Sequence, residues 1–170
     1  TTTVDSSVTT KTVTIIGSAT LSTTWAKFGS ASLAVPNTGA STQNGATIAD
    51  HADFDFGTGD FTIKSPVRSN SNTRAADRFA VPLGTLSNLR VSVSTAGNLL
   101  VGWKTGTYPG GAVNTDVNVA LDTPTWVEFV RRSGTMELWV DGFEVYAETL
   151  PSGAAEVASV SGTIYVGCDN

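Results

Sequence analysis

The sequence predicts an all-β fold, a two-sheet antiparallel β-sandwich, on three observations. Short alternating runs of apolar and polar residues recur along the 170 residues, separated by Gly, Asn, Asp and Pro, and no window keeps helical periodicity over three turns. The composition, 40% hydrophobic and 15% charged, is that of a globular chain, and it is rich in the Thr, Ser, Val and Gly of strands and turns. The length suits one substantial core rather than two. Sheets of such strands each bury one face, so two packed together are expected. A membrane barrel needs regular strands of about ten residues, and these are too irregular.

Taken in order, residues 1–12 form a candidate N-terminal arm of a domain covering 1–170, with Val4 and Val8 apolar and Asp5 and Lys11 charged. Strands are expected at residues 12–16, 61–63, 89–93, 99–103, 117–121 and 163–166, each a short alternating run. Pro66 follows the Phe61 strand and has no N–H for a ladder, so that strand is expected at an edge, bulged or cut short. Residues 125–146 carry the strongest signal. Trp126 to Arg131 alternates, Ser133-Gly134 turns, and Asp141-Gly142 is a two-residue hairpin signal whose glycine tolerates positive φ. That turn sets Val140 opposite Phe143 and Leu138 opposite Val145. Met136, Leu138, Val140, Phe143 and Val145 then share one side, and Glu137, Trp139, Glu144 and Tyr146 the other.

Three segments together resemble a known family. Lys27-Phe-Gly-Ser-Ala-Ser-Leu33 and Asp53-Phe-Asp-Phe-Gly-Thr-Gly-Asp-Phe-Thr-Ile63 are similar to the opening of laminin-G-like, concanavalin A-like jelly rolls. Trp126, Arg132, Leu138, Val140 and Gly142 correspond to that family's later motif, and Ile164-Tyr-Val-Gly167 to its penultimate strand. The resemblance implies a jelly roll. It also implies one more strand after Gly167, whereas this sequence ends at Asn170, so an open sheet edge is expected there.

Bulk properties and single residues exclude several functions. Net charge is −5, with few Lys and Arg, so the footprint for nucleic acid is lacking; Arg68, Arg74, Arg78 and Arg90 read as solvated surface. No run approaches the ~20 apolar residues that span a bilayer, and the first residues lack a signal-peptide core. The single Cys168 forms no internal disulfide and reads as an inert thiol. His51, in Ala49-Asp-His-Ala-Asp53, reads as a loop histidine hydrogen-bonded to its neighbours, and one His and one Cys do not make a zinc site. Asp53, Asp55 and Asp60 are the calcium candidates, but Lys64 stands where an EF-hand loop would close with Glu, and turn capping is the favoured role. Glycoside hydrolysis needs two carboxyl groups facing one sugar. Of Glu137, Asp141 and Glu144, Asp141 is taken by the turn and the other two lie on different strands, so no enzyme, cofactor or metal is expected.

Function is therefore expected to be recognition. The resemblance favours a structural module of a virion, a phage capsid decoration or tail-associated protein, contacting other virion proteins or copies of itself at the virion surface. The alternative is an extracellular or receptor-binding lectin-like domain, with Tyr108, Trp139, Glu144 and Tyr146 as a glycan platform, because aromatic faces stack on sugar rings. An animal-type adhesion module is disfavoured by the lack of a disulfide pair.

Overall fold

The computed structural model describes residues 2–3, 9–36, 44–57, 59–70, 76–82, 88–94, 96–102, 113–149 and 162–167. Among these residues fourteen strands follow in order: β1 (Thr2–Thr3), β2 (Val13–Ile16), β3 (Thr20–Ser22), β4 (Ser32–Ala34), β5 (Gly45–Ile48), β6 (Phe61–Val67), β7 (Ala76–Pro82), β8 (Asn88–Val93), β9 (Asn98–Gly102), β10 (Val113–Asn118), β11 (Thr125–Arg132), β12 (Thr135–Val140), β13 (Phe143–Thr149) and β14 (Ile164–Val166). Among the described residues, one 3-10 turn covers Ala52–Phe54. One sheet runs β1-β2-β5-β14-β7-β8-β9-β10, a second runs β13-β12-β11-β6, and β3 and β4 form a separate hairpin. All pairings among the described residues are antiparallel.

The two sheets close over a shared core, as a β-sandwich requires. Val93, Leu99 and Ile164 come from the large sheet, and Val127, Phe129, Met136 and Leu138 from the small one; all are buried. Strand β11 shows how the alternation works: Val127, Phe129 and Arg131 face inward, while Trp126 and Glu128 face out. Arg131 is the exception in kind, being only 2% exposed. Its Nη1 donates to the Gly57 carbonyl at 2.7 Å, and its Nε has no hydrogen-bond partner among the described residues. The arginine thereby pins the 53–60 loop beneath the sheet, helped by Asp60, which accepts from the Ser133 amide at 2.9 Å. The stacked pair Phe56 and Phe61, with ring centroids 4.4 Å apart, packs against the same core.

Asp141 and Gly142 both take positive φ, 49° and 86°, as a primed hairpin turn demands. The turn is tied back to β11, since the Asp141 carboxylate accepts from the Trp126 amide at 2.8 Å and the Asp141 amide donates to the Trp126 carbonyl at 2.9 Å. Val140 lies opposite Phe143, as the sequence predicts, but the next expected pair does not form. Trp139 pairs with Glu144 and Leu138 pairs with Tyr146, so Val145 is an extra residue in a bulge. Beyond it the alternation of β13 is reversed, and Tyr146 stands on the Leu138 side rather than beside Trp139.

Pro66 lies where the sequence places it, on an edge strand, yet β6 is neither bulged nor cut short: all seven residues pair with β11. Because both backbone groups of Trp126 are directed at Asp141, its opposite residue Pro66 turns its backbone outward, where a missing N–H costs no ladder bond. The expected open ladder beside the C-terminal strand is corrected. Strand β14 is interior, paired with β5 on one side and β7 on the other. Within the arm, Thr2 and Thr3 pair with Thr14 and Val13 of their own chain.

Candidate functional site

The outer face of the small sheet carries a row read directly from the register: Glu144, Trp139, Glu128 and Lys64, one from each strand. The Trp139 indole N–H donates to Glu137 Oε2 at 2.8 Å, and Arg132 Nη1 lies 3.9 Å from the same oxygen. Lys64 pairs with Glu128 and sits 5.0 Å above the Trp126 ring. Phe28, reaching over from the loop between β3 and β4, meets Trp126 at 5.5 Å between centroids. Two of the three glutamates are thus engaged by neighbours, and Glu144 is exposed.

Of the aromatic platform drawn from the sequence, Trp139 and Glu144 come together and Tyr146 does not. The bulge turns Tyr146 to the core side, where it packs against the hydrophobic cluster and its hydroxyl donates to Glu148 Oε2 at 2.8 Å. Burial raises the pKa of both Tyr146 and Glu148 above their ordinary values. Tyr108 lies outside the described residues, as do Cys168 and Arg74.

The carboxylates of Asp53 and Asp60 in the 53–60 loop are directed at separate tasks. Asp53 binds Lys11 at 2.6 Å, and this hydrogen bond is the first cause holding its carboxyl below the usual range. His51 caps the 3-10 turn, its Nδ1 accepting from the Asp53 amide at 3.1 Å. Asp60 caps the Ser133 turn, and the Asp55 amide closes the 3-10 turn onto the Ala52 carbonyl at 3.1 Å. Among the described residues, no group of three or more His, Cys, Asp or Glu is placed to hold a metal ion.

One concave feature among the described residues was missed by the sequence reading. The β3–β4 hairpin and the loop joining its strands stand off from the end of β6 and from β14, leaving an open cleft of about 720 Å³. Trp25 and Phe28 give it aromatic surface, Thr24 and Asn70 polar groups, and Lys27 and Arg68 positive charge. Asp122 orients Arg68, accepting from Nη2 at 2.7 Å through Oδ1 and from Nε at 3.3 Å through its carbonyl. Gly167 fits the end of β14 beneath the hairpin. Its φ is 68°, and a Cβ there would lie 3.0 Å from Val35 Cγ2. The cleft draws on residues far apart in sequence; its one local signal is Trp25 and Phe28, two aromatics flanking a lysine in an otherwise polar stretch.

Residues 39–170 match the laminin-G-like family model described as the concanavalin A-like lectin/glucanases superfamily. Comparison with curated proteins found no match to this chain.

Proposed function

The chain belongs to the concanavalin A-like lectin/glucanase superfamily, and from that premise we propose that it is a non-catalytic binding module whose cleft recognises carbohydrate. The observation that carries this reading is the lining of the cleft. Aromatic rings that cover the C–H face of a sugar lie beside hydroxyl and amide groups that match its hydroxyls. At about 720 Å³ the cleft falls within the roughly 300–1,000 Å³ of small-ligand sites. The described lining includes no Asp or Glu, so the carboxyl pair of a glycosidase is missing from it. Binding of the purified domain to a glycan array, repeated with Trp25→Ala, tests the proposal. Signal lost in the variant supports it, and an array with no signal for the wild type refutes it. Reducing sugar released from a bound polysaccharide would overturn the non-catalytic part.

A second reading sets the domain on a virion surface, as a capsid decoration or tail-associated protein contacting other virion proteins or copies of itself. Phe143 favours it, since a phenylalanine 75% exposed at a hairpin tip suits a protein contact. Light scattering on wild type and Phe143→Ser tests this: a multimer that the variant dissolves supports it, and a monomer in both removes self-assembly from it.

A further inference from the structure

Resting on the carbohydrate reading, we propose that the cleft selects acidic sugars of the uronate type, with the sugar carboxylate held by Lys27 and Arg68. Acidic residues outnumber basic ones 15 to 10 in this chain, yet both charged side chains in the described lining are cations. Lys27 is exposed and has no ion pair or hydrogen bond among the described residues. Arg68 is fixed without being consumed. Nε and Nη2 are used on Asp122, and Nη1 has no partner among the described residues. Both cations line the same cleft, and a charge-assisted bond from either to a carboxylate oxygen is stronger than a neutral one. Trp25 and Phe28 supply the apolar faces against which the ring of the same sugar rests.

The rest of the surface reinforces the choice. On the strands beyond β6 from the cleft, Glu137 and Glu128 are already engaged by Trp139 and Lys64, and the exposed acid of that row is Glu144 on β13, which disfavours a polyanion there. The cleft wall formed by Trp25, Lys27 and Phe28 lies ahead of the matched segment, residues 39–170.

Calorimetric titration with polygalacturonate, neutral dextran and dextran sulfate, at low and high salt, tests the inference on wild type, Lys27→Gln and Trp25→Ala. Expected are binding of polygalacturonate, a loss of about tenfold in Lys27→Gln with an unchanged melting temperature, and weakening by salt, because a single charge-assisted bond is removed or screened. Trp25→Ala should weaken it as well. Dextran bound as tightly as polygalacturonate, or Lys27→Gln binding as wild type while Trp25→Ala does not, overturns the acidic selectivity and leaves the carbohydrate reading standing. Dextran sulfate bound more tightly than polygalacturonate overturns the carboxylate assignment. Failure of all three polymers, and of a glycan array, overturns both readings.

Discussion

Leu138→Ala and Phe143→Ala, two truncations five residues apart on one hairpin, should differ in the opposite order to the size of the side chains removed. Leu138 is 0% exposed and sits between Phe129 of β11 and Tyr146 of β13, whereas Phe143 is 75% exposed at the turn. Leucine to alanine removes three carbons, worth about 0.8 kcal/mol each by transfer, and the cavity left in a packed core raises the cost to about 3 kcal/mol. For a domain of this length that corresponds to a fall in melting temperature of roughly 6–12 °C. The exposed phenylalanine leaves no cavity, so its loss should stay within about 0.5 kcal/mol. Urea unfolding followed by tryptophan fluorescence measures both, with equal slopes expected. Equal destabilisation by the two variants would refute the assignment of the core face.

Gly167→Ala should lower stability by about 1–2 kcal/mol or more, because the added Cβ meets Val35 and the residue must keep positive φ; an unchanged thermal melt would mean the hairpin does not rest on β14. Two carboxylates give pH dependences of opposite sign. Burial raises Glu148 above its ordinary 4.5, so its stability is full below that value and lost as pH rises through the raised one, and Glu148→Gln should remove that loss. Asp53 is lowered from 3.8, first by the hydrogen bond from Lys11, so its contribution is present above 3.8 and lost as pH falls through the lowered value; Lys11→Met should weaken it, leaving the smaller effects of Thr9 and His51. Melting curves for wild type and both variants across the acid range read the two effects, and parallel curves would contradict them. Pro66→Thr restores an outward N–H on the edge of β6, so concentration-dependent self-association in size-exclusion chromatography is expected, and its absence would show that the edge is protected by other means.

The hairpin shows what a sequence can and cannot disclose. Asp141-Gly142 named its turn type and the pair Val140–Phe143, because positive φ at two successive positions is a demand few residue pairs meet. Val145 carries no mark of being a bulge. A valine alternates as well paired as unpaired, and the single extra residue sends Tyr146 to the core, separating it from Trp139. Arg131 and Arg132 are chemically equivalent in the sequence, and the motif pointed to Arg132. The structure buries Arg131 beneath the 53–60 loop and leaves Arg132 on the surface. The cleft escaped for a different reason: its walls come from residues 18–36, 65–70 and 166–167, and no local pattern encodes that meeting.

The position of β14 has a consequence for how this protein is made. Until residues 164–166 leave the ribosome, the large sheet consists of two separate blocks, β1-β2-β5 and β7-β8-β9-β10, and β5 and β7 turn unpaired backbone toward the gap between them. The late strand is a keystone, and Ile164 must find Ile48 across most of the chain before the arch holds, which is a slow search by its sequence separation. Polypeptides halted short of that strand carry two raw edges facing a slot made for a strand, and such a slot accepts the strand of a neighbour as readily as its own. Truncated products should therefore collect in the insoluble fraction, and a peptide spanning residues 162–167, supplied in trans, should bring a chain ending before them back into solution.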